Sequence, residues 1–379
     1  MRILVSGAGV AGLSAAIDLG RAGNEVTIVE RANHLRVNGS PIDIRGTALD
    51  IAAEMGVLER IRDSRLDMSE RLQFVDASGT PLAAPPAEEV SDSAEDLEIA
   101  REDLARLLYE ALPTSVTLVF EESIGELEQD ADGVTVRFSS GGRERYDLVV
   151  GADGLHSRTR SLTFGPERDL LRHLGFYVAL AEFPGARDDD PINPMYNFPG
   201  HLAGIAKYRD HALAVFQFRA PWIEYDHHDL EAQREILRDH YGRHRQWRVP
   251  ELLEAACADP ELYFDSVSLI EMDSWHRGRV ALVGDAAHCA SPLSGRGTSL
   301  ALTGAWFLSE ALREYPADLE RALAEYEDRQ RPHVTRAQAT AGPGGDLMLP
   351  ATQEEIDARN ARLSGQPADS RVSVASRAT

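Results

Sequence analysis

The stretch Met1–Arg31, MRILVSGAGVAGLSAAIDLGRAGNEVTIVER, limits what this chain can fold into more than any other. It opens on the apolar run Ile3-Leu4-Val5, which reads as a buried parallel strand. Gly7-Ala8-Gly9-Val10-Ala11-Gly12 follows, a complete G-x-G-x-x-G, and then a helical stretch with Leu13, Ala16, Ile17 and Leu19 apolar. Val26 to Val29 is a second strand, and it ends on Glu30. Gly7 permits the tight turn out of the strand, Gly9 lets a pyrophosphate approach the backbone, and Gly12 lets helix pack on strand. The phosphates would sit at the helix N-terminus, where free N–H groups and the dipole favour negative charge. Glu30 lies 18 residues after Gly12, close to the spacing expected of an acid that bonds ribose hydroxyls. Strand, helix, second strand and acid together point to dinucleotide binding, with Ala11 inside the turn and Arg31 beside the acid.

The rest of the chain alternates between two characters. Thr47 to Ile61 reads as one helix, and Ile99 to Tyr109 as another. Strands are expected at Val116–Phe120, Ile124–Leu127 and Val134–Phe138, with a hairpin turn at Asp132-Gly133, and a buried strand at Tyr146–Gly151. From about Leu170 to Ala220, short period-2 runs of apolar and aromatic residues imply an antiparallel sheet, a second domain inserted into the first. Rossmann character returns at Val280–Gly284, followed by long helices from Leu300 and from Leu319. Pro332 is expected to kink or end the second of these, and the polar stretch after Thr340 to be poorly ordered at its end. The fold class is therefore α/β, α+β overall. Its boundaries are a discontinuous nucleotide domain at 1–75, 97–168 and 267–340, a sheet domain at 76–96 and 169–266, and a tail at 341–379.

A formal charge of −23 argues against nucleic-acid or membrane-surface partners. Two distant cysteines, Cys257 and Cys289, form no metal-like pattern and suit a reducing, cytoplasmic setting. No 18-residue apolar run is present, and with the first strand starting at once no signal peptide is expected.

Three motifs stand in order: GAGVAG at 7–12, Asp153-Gly154-Leu-His-Ser157-Arg158-Thr-Arg160, and Gly284-Asp285 followed by Pro292. Together they resemble the class A flavoprotein monooxygenases, the family of p-hydroxybenzoate hydroxylase, over about residues 1 to 340. The stretch Gly39–Gly46, GSPIDIRG, looks most like the tetracycline-inactivating branch. The resemblance implies a Rossmann-like FAD-binding domain, a substrate domain on the inserted sheet and C-terminal helices. It implies FAD as cofactor and NADPH or NADH as reductant, with no second Rossmann domain for the nicotinamide. Asp153 and Gly154 would lie between flavin and nicotinamide, and Asp285 beside Gly284 would bond the ribityl chain. Pro292 would place its loop beside the isoalloxazine, and Gly295, Gly297 and Thr298 would shape the flavin site. Arg101 would contact the FAD phosphate or ribityl region, Asp43 and Arg45 the flavin, and Arg36 the nicotinamide cofactor. Ile124 completes the cofactor set. Relatives often carry Asn near position 299, where this chain has Ser299. His288 reads as structural.

The family's chemistry needs no protein nucleophile: a flavin C4a-hydroperoxide inserts one oxygen of O2 into an electron-rich aromatic or polycyclic, polyketide-like carbon. Such reactions serve antibiotic biosynthesis or inactivation. Substrate candidates on the inserted sheet are Tyr177, Tyr196, Phe198, Tyr208, Phe216 and Phe218, with His173, Phe176, His201 and Trp222 as weaker ones. The same fold also supports Baeyer–Villiger oxidation or epoxidation, and a non-catalytic FAD-binding protein is the alternative from another class. A flavin halogenase is disfavoured, because Trp222, Trp247, Trp275 and Trp306 are isolated and no W-x-W-x-I-P occurs. The oligomer is expected to be a monomer or homodimer.

Overall fold

A computed structural model describes residues 1–35, 40–67, 71–85, 92–184 and 192–365. Arg36 lies outside these, as does the end of the tail. The chain forms two compact units: 1–65, 93–174 and 268–341 make the first, and 66–92, 175–267 and 342–379 the second.

The first unit is built on a six-stranded sheet. Its order is His276–Arg277, Val280–Leu282, Leu148–Gly151, Arg2–Ser6, Glu25–Glu30 and Val116–Phe120. All neighbours run parallel except the His276–Arg277 edge. Ile3, Leu4 and Val5 are fully buried at its centre, as their continuous apolar run demands. The Val10–Arg21 and Gly297–Glu314 helices pack together and share one core cluster with the sheet. A three-stranded antiparallel sheet joins Ile124–Gln129, Val134–Phe138 and Arg143–Tyr146.

Local chemistry corrects three expectations here. The helix expected over 47–61 is two, Thr47–Glu54 and Leu58–Asp63, because Gly56 takes φ +70°. The Gly56 and Val57 N–H groups then close the first helix on the carbonyls of Ala53 and Ala52. The strand expected at 146–151 divides into Arg143–Tyr146 and Leu148–Gly151, which serve different sheets. Pro332 does not end its helix, which runs Leu319–Met348. Tertiary bonds override the lost backbone bond: Tyr326 donates to the Leu282 carbonyl, Gln330 to Leu300, and Gln338 to Ile270 and Cys289.

The second unit carries a seven-stranded sheet ordered Tyr263–Ile270, Leu171–Glu182, His211–Arg219, His201–Tyr208, Asn193–Phe198, Leu72–Val75 and Pro81–Ala83. Leu171–Glu182, His211–Arg219, His201–Tyr208 and Asn193–Phe198 pair antiparallel in turn, as do Leu72–Val75 and Pro81–Ala83, and Asn193–Phe198 runs parallel to Leu72–Val75. One face is covered by the Leu230–Tyr241 and Val249–Ala258 helices. Tyr177, Ala179, Ala203, Ile205, Ala214, Phe216 and Phe218 pack there on Leu237, Tyr241, Val249 and Leu252. After Thr340 the long helix continues to Met348, and the end of the tail, expected to be poorly ordered, lies outside the described residues. A helix at Gln353–Leu363 starts on a Thr352/Glu355 capping box. Its buried Arg359 lies 3.5 Å over the Phe74 ring and donates to the Leu347 carbonyl and to Asn197.

Candidate active site

The glycine turn has the close contacts its sequence implies. Gly7, at φ +105°, donates to the Val29 carbonyl at 2.8 Å, and a Cβ there would lie 2.5 Å from the Ala152 carbonyl oxygen. A Cβ on Gly12 would lie 1.9 Å from the Gly7 carbonyl oxygen, so helix and strand meet without room for a methyl group. Gly9 is different: a Cβ there would meet nothing within 4 Å. It caps the Val10–Arg21 helix, whose first turn has no acidic residue and no side-chain cap. The leading N–H groups thus face open space over a glycine. That is a cradle for a diphosphate, and it fits the pyrophosphate of FAD. Glu30 holds the turn from the next strand by accepting from the Ala8 N–H at 2.9 Å and the Ala32 N–H at 3.0 Å. A carboxylate oxygen that accepts one such bond keeps a lone pair for a ribose hydroxyl. Arg31 is exposed next to it.

The second half of the site meets the first at Ala11. Gly284, at φ +61°, would place a Cβ 2.6 Å from the Ala11 Cβ, so only glycine lets this strand end reach the first helical turn. Asp285 follows, exposed, at the start of the short Asp285–His288 helix. Its Oδ1 is 4.0 Å from the Cβ position of Gly297, the first residue of the Gly297–Glu314 helix. That helix too has no acid in its first turn and no side-chain cap, and Thr298 is its second residue. The loop before it is held in an unusual shape. Buried Ser291 takes φ +70°, its hydroxyl accepts from the Leu293 N–H at 3.1 Å, and Pro292–Ser294 makes a single 3-10 turn ending on left-handed Gly295.

Beneath Gly295 sits an ion pair. Arg45 Nη2 and Asp43 Oδ2 are 2.8 Å apart, and a Cβ on Gly295 would lie 3.0 Å from that Nη2. The Arg45 N–H also donates to the Ser299 hydroxyl at 2.9 Å. Through this bond Ser299 docks the end of the Ile42–Ile44 strand on the helix start. Asp43 and Arg45 therefore brace the loop at Gly295.

The Asp153 carboxylate is engaged within its own loop. Its Oδ1 accepts from the Ser157 hydroxyl, and its Oδ2 from the Thr159 N–H and hydroxyl, both at 2.8 Å. Ser157 in turn caps the Arg158–Phe164 helix by accepting from the Arg160 N–H at 2.9 Å. The Asp153 carboxylate thus organises its own loop, and Gly154, at φ +81° with open space at its Cβ position, is the part left for a ligand. Arg160, fully buried, donates to the carbonyls of Ala286 at 3.0 Å and Leu155 at 2.6 Å, and to Glu167 at 2.7 Å. Burial lowers its pKa, against the pull of Glu167. The structural roles of Ser157 and Arg160 go beyond what the motif alone implies, and their three-residue spacing, that of an N-cap to N3, is the signal the sequence carries for them.

Arg101 begins the Arg101–Glu110 helix, half-buried, and makes no hydrogen bond or ion pair among the described residues. That leaves it available to an anionic group. Ile124 is 2 % exposed and belongs to a core cluster with Leu4, Val29 and Val134, so its side chain is core. His288 is buried against the Trp275 ring, and desolvation pushes its pKa down to about 3, which leaves it a neutral structural residue.

Strand alternation sorts the substrate candidates in the second unit. Tyr177, Tyr196, Phe216 and Phe218 belong to the helix-covered core, and Phe198 packs against it. Tyr177 and Phe218 stack at 5.2 Å, and the Tyr177 hydroxyl accepts from the Ile223 N–H at 2.8 Å. Their aromatic content is spent on packing, which a period-2 reading could have separated by face. Only Tyr208 of the six falls on the opposite face. Phe176 shares that face and lies under Arg219, while Trp222 is exposed and bonded to Glu224. Among the described residues no group of three or more metal-binding side chains occurs, and no helix is long and apolar enough to cross a membrane.

The family described as FAD binding domain matches residues 1–168 and 266–341. An uncharacterized protein of Mycobacterium tuberculosis is 39% identical over 368 residues, covering 94% of this chain and 96% of the relative. A flavin-dependent monooxygenase of Legionella longbeachae is 36% identical over 329 residues, covering 86% of this chain and 84% of that one. Among solved structures, tetracycline destructase Tet(51) superposes with a TM-score of 0.83 at 33% identity, covering 96% of this chain and 95% of its own.

Proposed function

Because the chain belongs to the FAD-binding monooxygenase family, we propose that it uses NADPH or NADH and O2 to insert one oxygen atom into an aromatic or polycyclic, polyketide-like substrate. Bound FAD supplies the redox and oxygen-activating chemistry. The observation that carries the reading is the pair of uncapped helix N-termini, at Val10 and Gly297, joined through the Ala11–Gly284 contact and the Asp285 carboxylate.

The first helix start binds the diphosphate through its N–H groups, and Glu30 accepts from ribose hydroxyls. Asp285 accepts from a hydroxyl of the ribityl chain, and Arg101 neutralises phosphate charge. The Gly297 helix start, with no side-chain cap and no acid in its first turn, would offer N–H groups and its positive dipole end to negative charge on the flavin. The Asp43–Arg45 pair and Ser299 keep that helix start and Gly295 in place, so the donors need no reorganisation during turnover. No side chain acts as nucleophile, and a shielded site suppresses unproductive water chemistry.

The tetracycline destructase likeness makes a tetracycline the first substrate to try. The FAD-loaded protein should consume NADPH or NADH and O2 in equal amounts when tetracycline is added, and give a product heavier by one oxygen atom. Neither tetracycline nor simple polycyclic phenols raising nicotinamide oxidation above the substrate-free rate would sink the reading.

A further inference from the structure

The loop that leaves the short Asp285–His288 helix at Cys289 and enters the Gly297–Glu314 helix has a backbone that needs outside support. Ser291 and Gly295 both take positive φ, +70° and +61°. For a non-glycine residue that region costs free energy, and the shape persists where the surroundings fix the chain on both sides. The loop's own side-chain bonds are short-range. Ser291 Oγ accepts from the Leu293 N–H, and Ser294 Oγ donates to the Ser291 carbonyl at 2.9 Å.

One helix holds both ends of this segment. Leu319–Met348 sends Gln338 to the entry and Gln330 to the exit. Gln338 Nε2 donates to the Cys289 carbonyl at 3.2 Å and to the Ile270 carbonyl at 2.9 Å. The Cys289 carbonyl also accepts from the Ile270 N–H at 3.1 Å, so the amide closes a three-cornered set of bonds at the entry. Gln330 is fully buried, and its Nε2 donates at 3.0 Å to the Leu300 carbonyl, in the first turn of the Gly297 helix. It does so beside Gly304, where a Cβ would lie 3.4 Å from that nitrogen. The two glutamines stand eight residues apart, about 12 Å along the helix axis. Packing alone does not call for them. Val334 and Ala337, between them, belong to the core cluster, and an aliphatic side chain at 330 would join it without burying an amide. An amide that donates to a main-chain carbonyl fixes it in direction as well as distance, which an aliphatic contact does not.

We infer that Gln330 and Gln338 are positioning residues that clamp the two ends of the 289–300 segment and so set how the Gly297 helix start is presented to the flavin. The inference rests on the FAD-monooxygenase reading above and adds the residues that tune the cofactor from outside its site. Each acts through a main-chain carbonyl, at Cys289 or Leu300. Donors held in place favour the form of the flavin that bears negative charge, the reduced one, so a loosened clamp lowers the preference for reduced over oxidised flavin.

The test compares the wild type, Gln330→Met, Gln338→Met and the control Val334→Ala, all loaded with FAD. Anaerobic reduction beside a reference dye gives the midpoint potential of the bound flavin, and urea denaturation of each apoprotein gives its stability. Each glutamine variant should favour reduced flavin about ten-fold less than the wild type does, which is about 30 mV on the midpoint potential. Val334→Ala removes packing between the two clamps; it should lower the urea midpoint and leave the potential where it was. Should Gln330→Met, at the fully buried position, fail to take up FAD, Gln338→Met, at a part-buried one, decides alone. A wild-type potential in either glutamine variant that holds FAD would overturn the inference and leave the flavin reading standing. So would an equal shift in Val334→Ala. A wild type that binds no FAD would overturn the flavin reading and this inference with it.

Discussion

Arg160 donates a 3.0 Å hydrogen bond to the carbonyl oxygen of Ala286, and so ties the Asp153–Arg160 motif to the Gly284–Asp285 motif far along the chain. The guanidinium is fully buried, and its other partners are Leu155 and Glu167. The motif that begins with Asp153 is therefore a structural knot, and its last residue sets the height of the strand end that carries Asp285.

Arg160→Met should leave the Ala286 and Leu155 carbonyls and Glu167 without their donor. We expect a loss of about 3 kcal/mol in unfolding free energy, from buried acceptors that lose a charged partner. FAD retention should fall with it, because Asp285 lies next to Ala286. Urea denaturation of the apoprotein and flavin content after gel filtration check the two effects separately. An unchanged unfolding midpoint would contradict the structural role assigned to Arg160.

Gly9→Ala and Gly12→Ala separate ligand space from packing space. A methyl group on Gly12 collides with the Gly7 carbonyl at 1.9 Å, whereas one on Gly9 meets nothing within 4 Å. Gly12→Ala should therefore destabilise the apoprotein by about 2 kcal/mol through overpacking, and Gly9→Ala by less than about 0.5 kcal/mol. Gly9→Ala should still weaken FAD binding at least about ten-fold, since the diphosphate needs the space that the methyl fills. Thermal unfolding of the apoprotein and fluorescence titration with FAD read these out. A Gly9→Ala protein that binds FAD as the wild type does would move the diphosphate elsewhere.

How far the sequence revealed this depends on the range of each interaction. The glycine turn, Glu30 and Gly284 were legible because each reflects local backbone geometry at a fixed spacing. The sheet of the second unit was legible from its period, yet which side of Phe216 or Tyr177 would meet helices was not, because both faces of the strands are apolar. The bonds that Ser157 and Thr159 make to the Asp153 carboxylate follow from the turn after the strand, which the motif's spacing alone does not describe. The Arg45–Ser299 bond spans 254 residues of sequence, and no local pattern announces it. Pro332 shows the same limit, since its cost in the helix is offset by side chains bonded to distant carbonyls.

Lys207 offers a direct probe of the second unit. It is the only lysine in 379 residues and is 3 % exposed on the His201–Tyr208 strand. A lysine-specific endoprotease should leave the folded protein intact and cut once, after residue 207, only when this sheet opens. Its cleavage rate across a urea series should follow the unfolding of the second unit. Rapid cutting without denaturant, with the flavin still bound, would contradict the burial of this strand.

Asp18 should give the protein an unusual pH signature. It is buried on the Val10–Arg21 helix, and its Oδ2 has no hydrogen-bond partner among the described residues. Burial raises its pKa from 3.8 to about 7; nearby Arg21 opposes the shift and Glu310 adds to it. Between those values the folded state keeps a proton that the unfolded chain has released, so the carboxyl costs stability increasingly as pH rises and fully above about 7. The histidines act in the opposite sense. Desolvation lowers the pKa of His201, His240, His244 and His288, so the unfolded chain takes up protons first and stability falls as pH drops below 6.5. Asp18→Asn removes the first effect and leaves the second. The variant should be more stable than the wild type by about 2–4 kcal/mol at pH 8, from about 1.4 kcal/mol per pKa unit. That advantage should shrink steadily toward pH 5. Urea denaturation of both proteins at pH 5, 6, 7 and 8 measures the difference curve; a difference independent of pH would show that Asp18 is ionised in the fold throughout.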